Sequence, residues 1–590
     1  MAQLAIDKGF MDDYSRLERS VQAAVKAALD KFAEHARAGL RLEKPQHPED
    51  DRIRTIRVDL HWRCVVLAPA GGDTYYLLKV MEHDQASAFA ASHTFTVNRD
   101  RVVFIDGSEE LDRILRHPSA HWRTFLHPAQ REIAYAPAFA GPVQVTGGAG
   151  TGKTVTATHR AVHLAKRALG QVPAGDGKTP VLLTTFTRNL ADALQGQFGL
   201  LADVDDPITA AGIRAQVAIL DIDRLAFEIV AKIRGINPAP IDGRELTDVC
   251  AVMVEKVGLP FSPAFLEREW RQVILGQGVR DEQAYLTCSR AGLGTPLGNA
   301  QRRQVWQAAQ SLTAALRTMG RDTFPQLADE AAEVAQPQYR HIIVDEAQDL
   351  HPSQWRLLRA LVQNGPDDLF IVGDPHQRIY DNHVSLAQLG IDVRGRSRRL
   401  TVNHRTTEEI LAVAVPALGP GSFTGLDDCA DTLDGYRSPL HGRRPRVIPA
   451  STREAELAAL VRQVRAWLDE GIEPHAIGVA ARAGDLWKAA SEELLAAGIL
   501  VATLSAGPTI DGVRLGSMHA MKGLEFQAVA VIGVSDGVVP APDAVTPLAE
   551  DPRAHAQDRQ RERCLLFVAC TRARDHLYLS YSGTPSPFLG

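Results

Sequence analysis

The sequence predicts an α/β protein built on parallel sheets, with a small α+β domain ahead of them, and three observations carry that prediction. From residue 121 onward, apolar runs of strand length alternate with helical patterns, as strands and crossover helices do in parallel sheets. One run, Val143-Gln144-Val145, leads into Gly147-Gly148-Ala149-Gly150-Thr151-Gly152-Lys153-Thr154 and then a helical stretch over 155–169. Another, His341-Ile342-Ile343-Val344, ends in the adjacent carboxylates Asp345 and Glu346.

At 590 residues the chain exceeds what one core organises, and its length predicts about three to five domains or subdomains. Its composition, 45% hydrophobic and 23% charged, is that of an ordinary globular protein. A net charge of −6 excludes a uniformly basic surface, so any nucleic-acid contact must come from local patches. No apolar run reaches membrane-spanning length, and Asp7, Asp12 and Asp13 stand where a secretory signal needs a basic and then apolar pattern. A cytoplasmic protein without a membrane partner is expected. Cys64, Cys250, Cys288, Cys429, Cys564 and Cys570 form no Cys-x-x-Cys pair, which predicts reduced packing residues rather than a metal or disulfide frame.

In chain order, the first domain is expected over 1–120. Leu17, Val21, Val25, Leu29 and Phe32 repeat at helical spacing, with Gly39 at the expected stop. Ile56, Val58, Leu60 and Trp62 alternate as in a strand, and the runs 64–68 and 74–80 flank the turn Gly71-Gly72-Asp73 as a hairpin does.

The glycine-rich stretch 147–154, between a strand and a helix, is a phosphate-binding loop in its proper setting. Its backbone N–H groups and the helix N-terminus face an anion, while Lys153 and Thr154 reach the terminal phosphates and Mg²⁺. A nucleoside triphosphate is therefore the expected ligand. The run 181–185 enters the polar turn Phe186-Thr187-Arg188-Asn189, which should face a site beyond the strand ends. After the strand at 341–344, Asp345 is assigned to the metal and Glu346 to the attacking water. Leu225, Trp270, Tyr285 and Trp306 are expected to pack an inserted helical subdomain. Later, Ser451-Thr452-Arg453-Glu454 reads as a capping box opening a helix to about 469, followed by a strand at 476–481 and a helix at 484–497 stopped by Gly498.

Further stretches complete an ordered series: Gly373-Asp374-Pro375-His376-Gln377-Arg378-Ile379-Tyr380, Leu400-Thr401-Val402-Asn403-His404-Arg405, Gly516-Ser517-Met518-His519-Ala520-Met521-Lys522-Gly523-Leu524-Glu525-Phe526, and Val568-Ala569-Cys570-Thr571-Arg572-Ala573-Arg574. With the loop and the carboxylates, this series resembles the UvrD/Rep family of superfamily 1 helicases, from Gln130 to Arg574, about three quarters of the chain. The resemblance implies two RecA-like motor domains: 1A in two parts over 121–226 and 335–395, interrupted by a helical insertion 1B over 227–334, and 2A over 396–590. It implies ATP and Mg²⁺ as cofactors, with Gln130 on adenine, Gly147, Gly148, Ala149, Gly150, Thr151, Gly152, Lys153 and Thr154 on the phosphates, and His404 and Glu525 on the base and ribose. Gln377 would sense the γ-phosphate, and Arg405 and Arg572 would act as arginine fingers.

Single-stranded DNA is the implied partner, contacted by Phe186, Thr187, Arg188, Tyr380 and His519, with 3′ to 5′ movement and a monomeric motor. His404 replaces the family's adenine-stacking aromatic, and Asn382 replaces a tryptophan on which a base stacks. Only about 120 residues separate Arg405 from Glu525, so the large second insertion of duplex-engaging members is expected to be absent. The chain ends at Gly590, soon after Arg574, so no nuclease domain of the RecB type is expected. Arg394, Arg396, Arg398 and Arg399, with Arg443, Arg444 and Arg446, are either phosphate contacts or a solvated connector.

The N-terminal stretches Arg54-Thr55-Ile56-Arg57-Val58, Trp62-Arg63 and Leu77-Leu78-Lys79-Val80-Met81-Glu82-His83-Asp84 loosely resemble the RelE-like toxin fold. Glu82, His83 and Asp84 stand where RNA-cleaving members cluster basic residues, so binding of a protein or RNA partner, or regulation, is expected rather than cleavage. The competing functional reading is a nucleotide-switched regulatory ATPase that remodels a protein or ribonucleoprotein partner held by residues 1–120.

Overall fold

The computed structural model describes residues 3–35, 42–46, 48–69, 74–92, 102–105, 126–170, 179–203, 206–290, 296–380, 382, 384–504 and 511–589. The chain divides into two units, residues 1–131 with 197–211 and residues 132–196 with 212–590.

In the first unit, β1 (Gln3–Asp7) feeds the helix Lys8–Ser15, whose N-terminus Asp7 caps by accepting from Gly9 N at 2.7 Å. The helix Arg19–His35 buries Val25, Leu29 and Phe32, the stripe its periodicity predicts. With β2 (Leu42–Glu43), β3 (Ile53–Arg57), β4 (Trp62–Leu67), β5 (Thr74–Glu82) and β6 (Val102–Ile105), the sheet order is β2-β3-β4-β5-β1-β6. β1 lies parallel to β5 and antiparallel to β6, so an α+β unit is present with its first strand inserted between two later ones.

One expectation for this unit needs correction, and one strand is additional to the expected elements. The alternation from Ile56 to Trp62 is not one strand: the chain turns at 58–61, where Asp59 Oδ1 accepts from His61 N and Trp62 N at 2.7 and 2.8 Å. An aspartate closing a local turn outcompetes the alternating pattern, and Leu60 is left 73% exposed at the tip. β1 went unread because its partner strand begins 71 residues later, at Thr74 opposite Gln3, and a run this short carries no local signal. Gly39 and the turn Gly71-Gly72-Asp73 lie outside the described residues.

The second unit holds two six-stranded sheets, each with every pairing parallel. The first, ordered β12-β7-β11-β10-β8-β9, contains β7 (Val143–Gly147), β8 (Thr179–Thr185), β9 (Val217–Asp221), β10 (Tyr339–Val344), β11 (Leu369–Gly373) and β12 (Ser397–Leu400). After the short hairpin β13 (Phe423–Thr424) and β14 (Ala430–Asp431), the second sheet is ordered β15-β20-β19-β16-β18-β17. It contains β15 (Arg446–Ala450), β16 (Ile477–Ala481), β17 (Val501–Thr503), β18 (Val513–Ser517), β19 (Phe526–Ile532) and β20 (Ala573–Ser582). The inner strands read as near-continuous apolar runs because they are covered on both faces, whereas the edge strands β12 and β15 are polar or exposed. The helix Arg453–Asp469 is capped by Thr452, which accepts from Ala455 N, so the cap sits one residue later than the Ser451 box predicts.

Trp270, Tyr285 and Trp306 share one helical core, as expected. Leu225 does not join them. The helices Ile222–Arg234 and Phe324–Val334 pack with Pro352–Ala360 in the core of the first sheet, so both edges of the anticipated insertion, 227 and 334, fall inside helices of the sheet core. The helical module proper opens and closes where Pro240 bridges Asp322.

A buried ion pair staples the first sheet: Arg160, on the helix Lys153–Leu169, and Asp367, just before β11, are 1% and 3% exposed and meet at 2.7 Å. Arg160 also donates to Ala134 O and Ala136 O, and Asp367 has φ 57°. Asp367→Ala strands a buried guanidinium and should lower the stability of the second unit by about 3–5 kcal/mol. Asp367→Asn, which tolerates the left-handed backbone, should lower it less; the midpoints of urea denaturation check the order.

Candidate functional site

The site forms where the carboxyl ends of β7, β8, β10 and β11 meet residues of the second sheet, the place where parallel sheets present loops to ligands. The loop after β7 turns through Gly150 and Gly152, at φ 69° and 77°, conformations that favour glycine. Gly152 then caps the helix Lys153–Leu169 without a side chain. Lys153 Nζ donates to Gly147 O and Gly148 O at 2.7 and 2.8 Å and lies 3.6 Å from Asp374 Oδ2. Thr154 Oγ1 donates to Asp345 Oδ2 at 2.8 Å. A hydroxyl and a carboxylate so placed are the hard-oxygen pair that a Mg²⁺ ion takes alongside phosphate oxygens.

Asp345 and Glu346 directly follow β10, and Glu346 adopts φ 53°, a strained conformation for a residue with a side chain. Burial raises the Asp345 pKa, and the neighbouring Glu346 carboxylate adds to the shift. Burial works against charge on Glu346 too, yet the ammonium groups of Lys522 and Lys153 hold it below the usual range. Gln348 Nε2 donates to Glu346 Oε2 at 2.5 Å while its Oε1 accepts from Asp374 N at 2.9 Å, joining the loops after β10 and β11. Lys153 and hydrogen bonds from His376 and Gln377 hold the Asp374 carboxyl well below the usual carboxylate range despite its burial.

Gln377 spans the two sheets. Its Nε2 donates to Asp374 Oδ2 at 2.5 Å, its Oε1 accepts from Arg572 Nη2 at 2.8 Å, and its backbone carbonyl accepts from Lys522 Nζ at 2.9 Å. Lys522 Nζ also donates to Asp349 and lies 3.8 Å from Glu346 Oε2. Burial, with Arg405 nearby, lowers the Arg572 pKa to about 10, which leaves it cationic at neutral pH. Arg405 Nε lies 2.8 Å from Glu525 Oε2. The resemblance gives those two residues to different ends of the nucleotide, whereas here they form one ion pair. His404 N donates to Gly150 O at 2.9 Å, so this residue meets the phosphate loop through its backbone. Gln130, in the first unit, accepts from His127 N at 2.7 Å.

The aromatic candidates converge. Phe186 and Tyr380 have ring centroids 4.8 Å apart, and Tyr380 and His519 lie at 6.4 Å. All three are half-buried, and burial lowers the His519 pKa to about 4, which keeps the imidazole neutral. Thr187 and Arg188 follow β8, with Arg188 exposed. Asn382 is buried rather than offered to a strand: its Nδ2 donates to Asp349 O at 2.5 Å. The arginines at 394–399 and 443–446 are largely engaged locally, Arg394 with Asp392, Arg399 with Asp431, Arg443 with Glu470 and Arg446 with Gln463. That pattern fits the solvated connector.

Asp374, Lys522 and Asn403 stand within the ordered series of motifs without an assigned task, and Asp349, which holds Lys522, lies outside the stretches named there. Tyr436, whose hydroxyl donates to Ala149 O at 2.7 Å, had no local signal at all.

The sequence matches the model of an AAA domain over residues 130–383 and that of the UvrD-like helicase C-terminal domain over residues 500–584. It is 28% identical over 582 residues to the ATP-dependent DNA helicase UvrD2 of Mycobacterium tuberculosis, covering 78% of this chain and 79% of that one. It is 26% identical over 250 residues to a probable DNA helicase of Mycoplasma pneumoniae, covering 40% and 43% of the two chains. Over 83 residues it is 36% identical to the ATP-dependent DNA helicase PcrA of Staphylococcus aureus, 14% of this chain and 10% of that one. With a phosphate loop, paired carboxylates and two arginines brought together by two parallel sheets, the chain belongs to the UvrD/Rep family of superfamily 1 helicases, enzymes that hydrolyse ATP.

Proposed function

We propose that this protein couples ATP hydrolysis to 3′ to 5′ movement along single-stranded DNA. The observation that carries the reading is Gln377: one side chain bonded both to Asp374 beside Lys153 and to Arg572 of the second sheet, with its carbonyl on Lys522. A change at the phosphates is thereby passed to the second sheet and, through Tyr380 three residues on, to the aromatic cluster.

The residues fit Mg²⁺ and ATP. Thr154 and Asp345 offer the metal a hydroxyl and a carboxylate, and Lys153 stands at the loop to neutralise phosphate charge. Bound Mg²⁺·ATP supplies the γ-phosphoryl group and the divalent charge that draws electrons from it. Glu346 orients the attacking water and takes its proton, a role suited to a carboxylate that Lys522 and Lys153 keep ionised. Arg405 and Arg572 stabilise charge developing on the transferred group, Arg405 exchanging its partner Glu525 for phosphate oxygens.

Phe186, Tyr380 and His519 offer bases a stacking face, each stacked base contributing about 1–3 kcal/mol. With Asn382 buried, one stacking platform of the family is replaced by a structural hydrogen bond. Between Arg405 and Glu525 the described residues form the helix Glu408–Ala417, the β13–β14 hairpin and elements of the second sheet. The reading that follows is a reduced motor, without the large second insertion, that translocates on single strands, with residues 1–120 recruiting a partner.

ATP hydrolysis should rise strongly on adding single-stranded DNA and less with RNA or duplex. Indifference to every nucleic acid would overturn the motor and favour the nucleotide-switched regulator. Glu346→Gln should keep ATP binding while turnover falls by about a hundredfold or more. Unchanged turnover would remove Glu346 from the reaction.

A further inference from the structure

A phosphate loop holds anions with backbone N–H groups, so the orientation of each peptide plane sets its grip. In a trans peptide, the carbonyl of one residue and the N–H of the next point to opposite sides. Three hydrogen bonds orient two consecutive planes of this loop. The Tyr436 hydroxyl and Asn403 Nδ2 donate to Ala149 O at 2.7 and 2.9 Å, and His404 N donates to Gly150 O at 2.9 Å. The N–H groups of Gly150 and Thr151 are thereby turned to the other side of the loop.

The donors are themselves held. Asn403 Nδ2 also donates to the Tyr436 hydroxyl at 2.9 Å, and Asn403 Oδ1 accepts from Arg405 N and Thr406 N at 2.7 and 2.9 Å. Backbone bonds from Asn403 N to Arg437 O and from Arg437 N to Thr401 O, 2.9 and 3.1 Å, lash the two segments together. The approach is close enough to require glycine: a Cβ on Gly148 would lie 2.5 Å from the Tyr436 ring, and one on Gly150 would run into Asn403. Burial raises the phenol's pKa, so the hydroxyl keeps the proton it donates.

We propose that Tyr436 is a positioning residue for the nucleotide: with Asn403 it presets the Gly150 and Thr151 amides toward the phosphates and holds them in register with Arg405. This rests on the ATPase reading above. The latch acts on phosphates and is blind to the base, which separates it from an aromatic that stacks on adenine. The hydroxyl carries the effect, since the ring alone cannot orient a carbonyl.

Tyr436→Phe in the full chain tests this by titration with mant-ATP, competition by GTP, steady-state ATP hydrolysis and thermal melting. Loss of the hydroxyl, and with it the bond to Ala149 O and the one from Asn403 Nδ2, should weaken mant-ATP and GTP by the same factor, about fivefold, with KM for ATP following. kcat should hold, and the melting temperature should fall by less than in the alanine variant. Tyr436→Ala, which also removes the ring, should lower the melting temperature and bind nucleotide no better than Tyr436→Phe. Wild-type affinity for mant-ATP in Tyr436→Phe would overturn the proposal, as would a penalty confined to the adenine nucleotide. If the wild-type chain binds mant-ATP without hydrolysing it, the enzymatic reading falls while the comparison of affinities still decides on Tyr436. If it binds no nucleotide, both fall.

Discussion

One ammonium group, Nζ of Lys522, sets the terms on which the two sheets meet. It comes from the second sheet's side of the site and is buried among acceptors from the first: the Asp349 carboxylate, the Gln377 carbonyl and, at 3.8 Å, Glu346. Desolvating an ammonium costs several kcal/mol, and only well-placed acceptors return it. Burial alone would favour neutral lysine, but Asp349 and Glu346 keep it cationic. The sheets can therefore part only if Lys522 takes water or other acceptors, and Glu346 then loses one of the two ammonium groups that keep it ionised, Lys153 remaining. Cleft geometry and the charge state of Glu346 are in this way linked.

Backbone strain at Glu346 belongs to the same arrangement. A non-glycine residue in the left-handed region is disfavoured by about 1–3 kcal/mol and persists only when its surroundings over-determine it. Here Asp345 N is bonded to Thr184 O, Asp349 N to Glu346 O, Gln348 to the Glu346 carboxylate and Asn382 to Asp349 O. The turn points adjacent side chains in different directions, Asp345 toward Thr154 and Glu346 toward Lys522 and Gln348. Two neighbouring carboxylates can then take different tasks in one site. Asn382, which at first reads as a lost stacking surface, serves this turn.

Much of this was legible beforehand because the signals are local. A glycine loop between strand and helix, a strand ending in two acids and the helix stripe of Val25, Leu29 and Phe32 each depend on neighbours in sequence. What escaped depends on residues far apart. β1 joins a sheet through β5, Leu225 packs with Trp355 rather than Trp270, and Tyr436 reaches Ala149 across 287 positions. A local competitor misled once, at Asp59, where one side-chain oxygen ended an alternation that otherwise reads as strand. As a run, the arginines at 394–399 leave phosphate contacts and a solvated connector both open, and their partners Asp392 and Asp431 appear only in the fold.

The central claim is that residues of both sheets converge on one triphosphate. It is tested most directly by a crystal structure of the chain with Mg²⁺, ADP and aluminium fluoride. The account predicts the metal on Thr154 and Asp345, the attacking water on Glu346, and both Arg405 and Arg572 on the fluoride, with Arg405 released from Glu525. A nucleotide bound away from residues 147–154, or arginines still held by Glu525 and Gln377, would contradict it.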